Sequence, residues 1–168
     1  NNSEVTNDKD LFGQTDWLLE QINNAKSRNQ QVFLFSHFGA FDALATSKYG
    51  FLLTNLNYSN ITFFGGNTHH DEILAYQEIF FYIHPSIVPD EHFPEIRIYD
   101  LENGEITDYH QFGLNLNSRE IVEIYSAKQS YGMTDLSLGS WLDFLDRLKT
   151  NQTLMNLYNQ HYYWGIEN

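Results

Sequence analysis

"ITFFGG", residues 61–66, decides the fold, because it is a short apolar run that leads directly into a polar loop. A second run of the same kind, "VFLFS", covers residues 32–36. Short continuous apolar runs are typical of strands that are buried on both faces of a parallel sheet. Helical patterns precede the two runs, over residues 12–31 and 43–60. The order helix, strand, helix, strand predicts an α/β fold.

The second half of the chain has a different pattern. Residues 73–116 are rich in strand-forming side chains, and Asn103-Gly104 between two alternating segments indicates a β-hairpin. After residue 117, apolar side chains recur at helical spacing. The sequence therefore predicts a terminal helical region, with helices over residues 118–132, 136–150 and 151–165.

Composition excludes several classes of function. Nine Lys and Arg against twenty-two Asp and Glu give a net charge of -13, which repels nucleic-acid phosphates and argues against a nucleic-acid partner. The absence of Cys excludes disulfides and Cys-based zinc or redox sites. No apolar run approaches the ~20 residues of a membrane helix, so we expect no transmembrane segment. Asn57, Asn60 and Asn151 each begin an Asn-x-Ser/Thr sequence and are possible glycosylation sites.

Two histidines follow the predicted buried strands. His37 comes after the first strand, and His69 lies in the loop after the second. Ligands bind at the carboxyl ends of strands in open α/β sheets, so both imidazoles are candidate metal ligands in one crevice. The alternative is that both are ordinary loop histidines. We expect the next two carboxylates, Asp71 and Glu72, to face solvent in so acidic a chain.

Five segments of the chain carry a family resemblance when they are taken in order. They are "GQTDWLLEQINNAKSRNQQVFLFSHF" (13–38), "NITFFGGNTHHDEILAY" (60–76), "PEIRIYDLENG" (94–104), "LNLNSRE" (114–120) and "YSAKQSYGMTDLSLGSWLDFLDRL" (125–148). Together they resemble the C-terminal half of the acid sphingomyelinases, which are calcineurin-like metallophosphoesterases. The resemblance extends from Phe12 to Gly165 and includes the helical tail of the sphingomyelinase branch.

This resemblance implies the C-terminal part of a βαβ-sandwich phosphodiesterase with two zinc ions and a bridging hydroxide that attacks phosphorus. Two such cations, ~3.5–4 Å apart, activate water and neutralise the charge that develops on the reacting oxygens. The resemblance places His37 at the histidine of a Gly-His-x-Pro loop. It places Asn67 and His69 at the two histidines of a Gly-His-x-His loop. These three residues are the implied metal-site positions.

The sequence departs from the family pattern in ways that leave the implied zinc site with fewer and weaker ligands. The amide of Asn67 is a harder and weaker zinc donor than the imidazole that the family has there. The Asp-x-His, bridging Asp and Asn-His-Glu ligands of the family's N-terminal half have no counterpart in these 168 residues. A catalytic zinc takes three protein ligands, so we expect the isolated chain to be inactive, with no catalytic residue assigned. A companion polypeptide that supplies the missing half is therefore expected.

The leading interpretation is an acid sphingomyelinase-like, metal-dependent phosphodiesterase chain. In this interpretation residues 1–116 are the C-terminal half of the metallophosphoesterase domain, and residues 117–168 are the helical region. The rival is a pseudoenzyme that serves as a structural or binding subunit of a larger assembly. An unrelated α/β binding domain is a third alternative. The resemblance also implies an extracellular or lumenal location.

Overall fold

A computed structural model describes residues 12–37, 58, 60–76, 79–89 and 92–165 of the chain. In this part the chain forms four helices and seven strands. The helices are α1 (Gln14–Ser27), α2 (Ala127–Tyr131), α3 (Leu138–Leu148) and α4 (Gln152–Tyr162). The strands are β1 (Val32–Phe35), β2 (Ile61–His69), β3 (Glu72–Tyr76), β4 (Ile79–Pro85), β5 (Glu95–Glu102), β6 (Glu105–Asn115) and β7 (Glu120–Ser126). This mixed content confirms the α/β class, while the metallophosphoesterase sandwich stays a prediction.

The first sheet has four strands in the order β1-β2-β4-β3. Strands β1, β2 and β4 are parallel, and β3 runs antiparallel to β4. The two predicted strands are confirmed as β1 and β2, the adjacent parallel pair. Strand β2 is buried on both faces as expected, but Phe35 of β1 is 72% exposed. The difference arises because β1 is the edge strand of this sheet.

The second sheet has three antiparallel strands in the order β5-β6-β7. Its first turn confirms the predicted hairpin, since Asn103 and Gly104 have φ values of 52° and 86° and join β5 directly to β6. Two consecutive residues with positive φ are typical of the type I′ turn, whose twist matches that of the flanking strands.

The helix predicted over residues 118–132 is wrong for most of its length. Strand β7 occupies residues 120–126 and pairs with β6, and only the short helix α2 follows it. Helical spacing of a few apolar residues suggested a helix, but the segment also contains the β-branched residues Ile121, Val122 and Ile124. Pairing with a long neighbouring strand decides such ambiguous segments. The two later predicted helices are confirmed as α3 and α4.

The main core lies between the first sheet, the second sheet and the terminal helices. Trp141 of α3 is fully buried, stacks on Phe80 at 5.0 Å and donates a hydrogen bond from Nε1 to the Tyr82 hydroxyl at 3.1 Å. The opposite face of the first sheet carries a second apolar cluster around Phe81 and, nearer α1, a third around Ile22. The division at residue 116 stays a prediction, although side chains from both segments share the main core.

Candidate metal site

His37 is held at the carboxyl end of β1, beside the carboxyl end of the neighbouring strand β2. The backbone N–H of Ser36 donates to the Phe64 carbonyl at 2.9 Å, and the N–H of Gly66 donates to the His37 carbonyl at 3.0 Å. Strand pairing therefore continues one step past β1 and fixes the His37 backbone against the glycine pair of β2. His37 and the segment that leads to Asn67 and His69 therefore lie side by side at the ends of neighbouring strands.

An open cleft of about 540 Å³ lies at these strand ends. Its lining includes His37, Gly66 and His84, and the His37 side chain is exposed. Asn67 and His69 are not among the lining residues. The structure therefore brings His37 into a cleft beside the β2 loop but does not place all three predicted positions on its wall.

His84 of β4 also lines this cleft. Its Nδ1 lies 3.0 Å from the Gly65 carbonyl, and its Nε2 lies 2.8 Å from the Tyr99 hydroxyl. Because a carbonyl only accepts, Nδ1 carries the hydrogen and Nε2 accepts from the tyrosine. Burial first, and the nearby charge of Arg97 second, lower the pKa of His84 to about 4. The imidazole is neutral at pH 7, and the hydrogen bonds of its two nitrogens tie β4 to Gly65 of β2 and to Tyr99 of β5.

The segment that contains the other two candidates, the Asn67–His69 loop of the prediction, is the irregular end of strand β2 and has an unusual backbone. Asn67 and His69 have φ values of 73° and 64°, and the pairing of β2 with β4 shifts register between Gly65 and His69. Left-handed conformations are uncommon outside glycine, and Asn and His are among the residues that adopt them most often. Such outliers concentrate at functional sites, where strain serves positioning. Asn67 is exposed and His69 is half-buried.

A catalytic zinc ion needs three protein ligands with N, S or O donors. Among the described residues, no group of three or more His, Cys, Asp or Glu side chains is arranged to hold a metal. His37 and His69 offer two imidazoles, and Asn67 offers a weaker amide oxygen. This part of the chain therefore does not fit a complete zinc site by itself.

Asp71 contradicts the expectation of a solvent-facing carboxylate. It is 1% exposed, forms an ion pair with Arg97 and accepts a hydrogen bond from the Tyr125 hydroxyl. The Arg97 side chain is 0% exposed, donates from Nε to Gln111 at 2.7 Å and lies 4.2 Å above the Tyr109 ring. A carboxylate so close to a buried guanidinium is sheltered rather than solvated, and Glu72 beside it is half-buried. Two residues after His69, the chain is thus anchored to the second sheet.

Two sphingomyelin phosphodiesterases are similar to most of this chain. Sphingomyelin phosphodiesterase A of Dictyostelium discoideum is 27% identical over 167 residues, which cover 86% of this chain and 29% of that protein. Sphingomyelin phosphodiesterase 2 of Caenorhabditis elegans is 27% identical over 184 aligned positions, which cover 94% of this chain and 30% of that protein. The chain is related to the acid sphingomyelinases. No family model matches it.

This acid sphingomyelinase-like chain spans less than a third of the length of the curated relatives that it matches. The relationship therefore concerns one region of those proteins. None of the helices in the described part of the chain is both long and apolar enough to cross a membrane.

The predicted glycosylation positions lie in different settings. Asn57 lies outside the described residues, and Asn60 is half-buried next to β2. Asn151 is exposed, and its side-chain oxygen accepts a hydrogen bond from the Leu154 N–H at the start of α4. Glycosylation at these positions stays a prediction.

The last helix of the sphingomyelinase-like chain packs on the core through His161. His161 is buried, stacks on Tyr125 with a centroid separation of 3.8 Å and is hydrogen-bonded through Nδ1 to the Tyr131 hydroxyl at 2.8 Å. His70, the neighbour of His69, stacks on Tyr162 at 4.4 Å. His70 therefore packs against the terminal helix and does not line the cleft.

Glu95 is a second buried carboxylate that the sequence did not single out. It is 4% exposed and accepts a hydrogen bond from Gln111 Nε2 at 2.9 Å. Burial first, and the charge of Asp71 second, raise the pKa of Glu95 from 4.5 to about 8. Its protonated form is thus favoured in the folded state at neutral pH.

Glu95→Gln is expected to stabilise the chain by a margin that grows with pH. Because the pKa of Glu95 is higher in the folded state, its contribution to stability is full below pH 4.5 and is lost as the pH rises towards about 8. A glutamine does not ionise, so the difference in unfolding free energy should increase by roughly 5 kcal/mol between pH 4.5 and about 8. Urea unfolding at several pH values measures it. The matched variant Glu102→Gln, at an exposed position, should show a flat difference, and a flat difference for Glu95→Gln would contradict the assignment.

Proposed function

We propose that this chain is the C-terminal part of a metal-dependent phosphodiesterase of the acid sphingomyelinase type. The observation that carries the proposal is the alignment of most of the chain with two sphingomyelin phosphodiesterases, with His37 and the Asn67–His69 loop at the ends of adjacent parallel strands. The reaction is hydrolysis of a phosphodiester, in which zinc supplies an activated water and neutralises charge on phosphate oxygens. In the proposal His37 and His69 are zinc-site positions, and Asn67 is a weakened third.

The chain by itself is proposed to be inactive. Its described residues lack a complete donor set, and the relatives contain more than twice as much additional sequence. A companion polypeptide that carries the N-terminal half of the fold would supply the other ligands. The location proposed for this assembly is extracellular or lumenal.

A second function is favoured by the asparagine at position 67. Because an amide at a ligand position weakens zinc binding, the second candidate is a pseudoenzyme that serves as a structural or binding subunit of a larger assembly. Zinc content separates the two functions, because a pseudoenzyme subunit has no need to hold the metal.

Asn67→His tests the assignment of the loop. Histidine is among the residues that tolerate the left-handed backbone at this position, so the substitution adds an imidazole without a new backbone demand. We expect zinc affinity of the chain in its native assembly to rise by at least about tenfold, measured by competition with a fluorescent chelator. Thr68→His is the matched control, since it adds an imidazole one residue along the same loop and should leave the affinity unchanged. Equal affinities for Asn67→His and the parent would remove this loop from the site.

A further inference from the structure

The irregular end of β2 depends on support from other parts of the fold. Asn67 and His69 have φ values of 73° and 64°, and the register of β2 against β4 shifts between Gly65 and His69. Left-handed backbone is unfavourable in residues other than glycine, and it persists only where the surrounding structure fixes it. Side chains on both sides of this segment therefore have to hold it.

His84 and Tyr99 hold the beginning of the segment. The Nδ1–H of His84 donates to the Gly65 carbonyl at 3.0 Å, and the Tyr99 hydroxyl of β5 donates to Nε2 at 2.8 Å. The peptide group that contains the Gly65 carbonyl also contains the Gly66 N–H, which donates to the His37 carbonyl at 3.0 Å. Linked hydrogen bonds polarise and strengthen one another. A continuous path therefore runs from Tyr99 on the second sheet to the backbone of His37.

Arg97 holds the end of the segment through its buried ion pair with Asp71. Arg97 and Tyr99 are alternate residues of β5, so their side chains leave the strand on the same face. Arg97 Nη1 also donates to the Tyr99 hydroxyl at 3.5 Å. Two neighbouring side chains of one strand thus fix both ends of residues 65–71. The two pairs, Arg97–Asp71 and Tyr99–His84, are termed the β5 clamp.

Polar contacts in the clamp define geometry that aromatic packing alone would not. The Phe64 ring already packs against both members of the second pair, with centroid separations of 5.9 Å to His84 and 5.3 Å to Tyr99. Apolar contact is non-directional, whereas a hydrogen bond restricts distance and angle. The hydroxyl and the imidazole therefore fix the orientation of the peptide group beside His37.

We propose that Tyr99 is a positioning residue for the phosphodiesterase reaction. Through His84 it fixes the Gly65–Gly66 peptide group, and so the placement of His37 beside the end of β2, while Arg97 anchors the far end of the segment. The inference rests on the proposed function, in which His37 is a zinc-site position. Tyr99 is not among the described residues that line the cleft, so it acts through His84. Small displacements of a reacting group can lower a rate by up to ~100-fold.

Amide hydrogen exchange in the chain, measured by NMR, tests the Tyr99 end of the clamp. The Gly66 N–H reports on the carboxyl end of the β1–β2 pair. The Val32 N–H, which donates to the Asn60 carbonyl at 2.8 Å, reports on its amino end. We expect Tyr99→Phe to speed exchange at Gly66 about tenfold more than at Val32, because the hydroxyl that orients His84 is lost. Global destabilisation would speed exchange at both amides equally.

Variants of His84 separate its hydrogen bond from the bulk of its ring. His84→Asn keeps a side-chain N–H donor near the position of Nδ1, so the ratio of Gly66 to Val32 exchange should stay within about threefold of the parent value. His84→Leu should raise that ratio about tenfold. Tyr131→Phe is the matched control, because it removes a hydroxyl from another buried Tyr–His pair, with His161 at 2.8 Å, and should leave the ratio unchanged.

Hydrolysis of bis(p-nitrophenyl) phosphate by the native assembly tests the positioning role. Tyr99→Phe should lower kcat about tenfold and leave KM within about twofold, because Tyr99 lies outside the cleft and affects only the geometry of groups within it. His84→Asn should retain more of the parent kcat than His84→Leu. Tyr131→Phe should change neither constant.

The remaining outcomes decide against parts of the account. Equal acceleration at Gly66 and Val32 in Tyr99→Phe, or a ratio in His84→Asn as high as in His84→Leu, would overturn the clamp. A raised ratio with an unchanged kcat would overturn the positioning role. An assembly without hydrolysis would count against the proposed function, and the exchange ratio would then decide the clamp by itself.

Discussion

Arg97→Met is expected to lower the free energy of unfolding by ~3–5 kcal/mol, because it leaves the Asp71 carboxylate buried without its counter-charge. The two side chains are 0% and 1% exposed. Removing one partner of a buried ion pair costs far more than the pair contributes to stability, since the remaining charge is still shielded from water. The Tyr125 hydroxyl still donates a hydrogen bond to the carboxylate.

Urea unfolding followed by circular dichroism at pH 7 measures this loss. Lys149→Met is the matched control, because Lys149 pairs with Asp146 at 3.0 Å with both side chains more than 70% exposed, and such surface pairs contribute ~0–1 kcal/mol.

If Arg97→Met is too unstable to purify, Arg97→Lys replaces it. This variant keeps the charge but loses the forked geometry of the guanidinium, so its loss of unfolding free energy should be smaller. The double variant Asp71→Asn/Arg97→Met should be destabilised by less than the sum of the two single changes. A loss below about 1 kcal/mol for Arg97→Met would contradict the anchoring role of the pair.

The second large effect is on phosphodiester hydrolysis. The isolated chain should give no turnover of bis(p-nitrophenyl) phosphate or sphingomyelin above the buffer rate, because its described residues do not complete a metal site. The native assembly with zinc should hydrolyse one of these substrates. His37→Ala in that assembly should reduce the rate by on the order of 100-fold or more. Substitution of a residue that only orients a metal ligand already lowers metal affinity or activity by about 10–100-fold.

His110→Ala is the control for this loss of activity. His110 lies on the second sheet, where it pairs with Glu123 at 2.7 Å and Asp100 at 3.4 Å, and it does not line the cleft. Its removal should leave the rate within about twofold, as expected for a surface side chain. Turnover by the isolated chain would refute the incompleteness of its site, and an active assembly with His37→Ala would remove His37 from the chemistry.

Local patterns predicted the parts of the fold that depend on neighbouring residues. The two apolar runs predicted strands β1 and β2 of a parallel sheet, and the Asn103-Gly104 dipeptide predicted the β5–β6 hairpin. Strand β7 was missed because its apolar spacing also fits a helix, and only its pairing with β6 distinguishes the two. The connection between β6 and β7, residues 116–119, lacks the Asn-Gly signal that indicated the first hairpin.

The candidate site was predictable only in its strand-end residues. His37 follows an apolar run directly, so its position at the sheet edge could be inferred from sequence. The role of Asp71 could not, because its partner Arg97 lies 26 residues away and Tyr125 lies 54 residues away. Acidic composition suggested a solvated carboxylate, and one buried guanidinium reverses that inference. The presence of His84 on the cleft wall likewise depends on β4 lying beside β2.

The central claim is that His37 and the Asn67–His69 loop are the remnant of a two-zinc site that a companion polypeptide completes. The most direct measurement is anomalous scattering at the zinc edge from crystals of the native assembly. Our account predicts zinc peaks within bonding distance, ~2.0–2.1 Å, of a His37 or His69 nitrogen, with further ligands from the companion. Zinc-saturated crystals without a peak beside either histidine, or with the two imidazoles directed to opposite sides of the sheet, would contradict it.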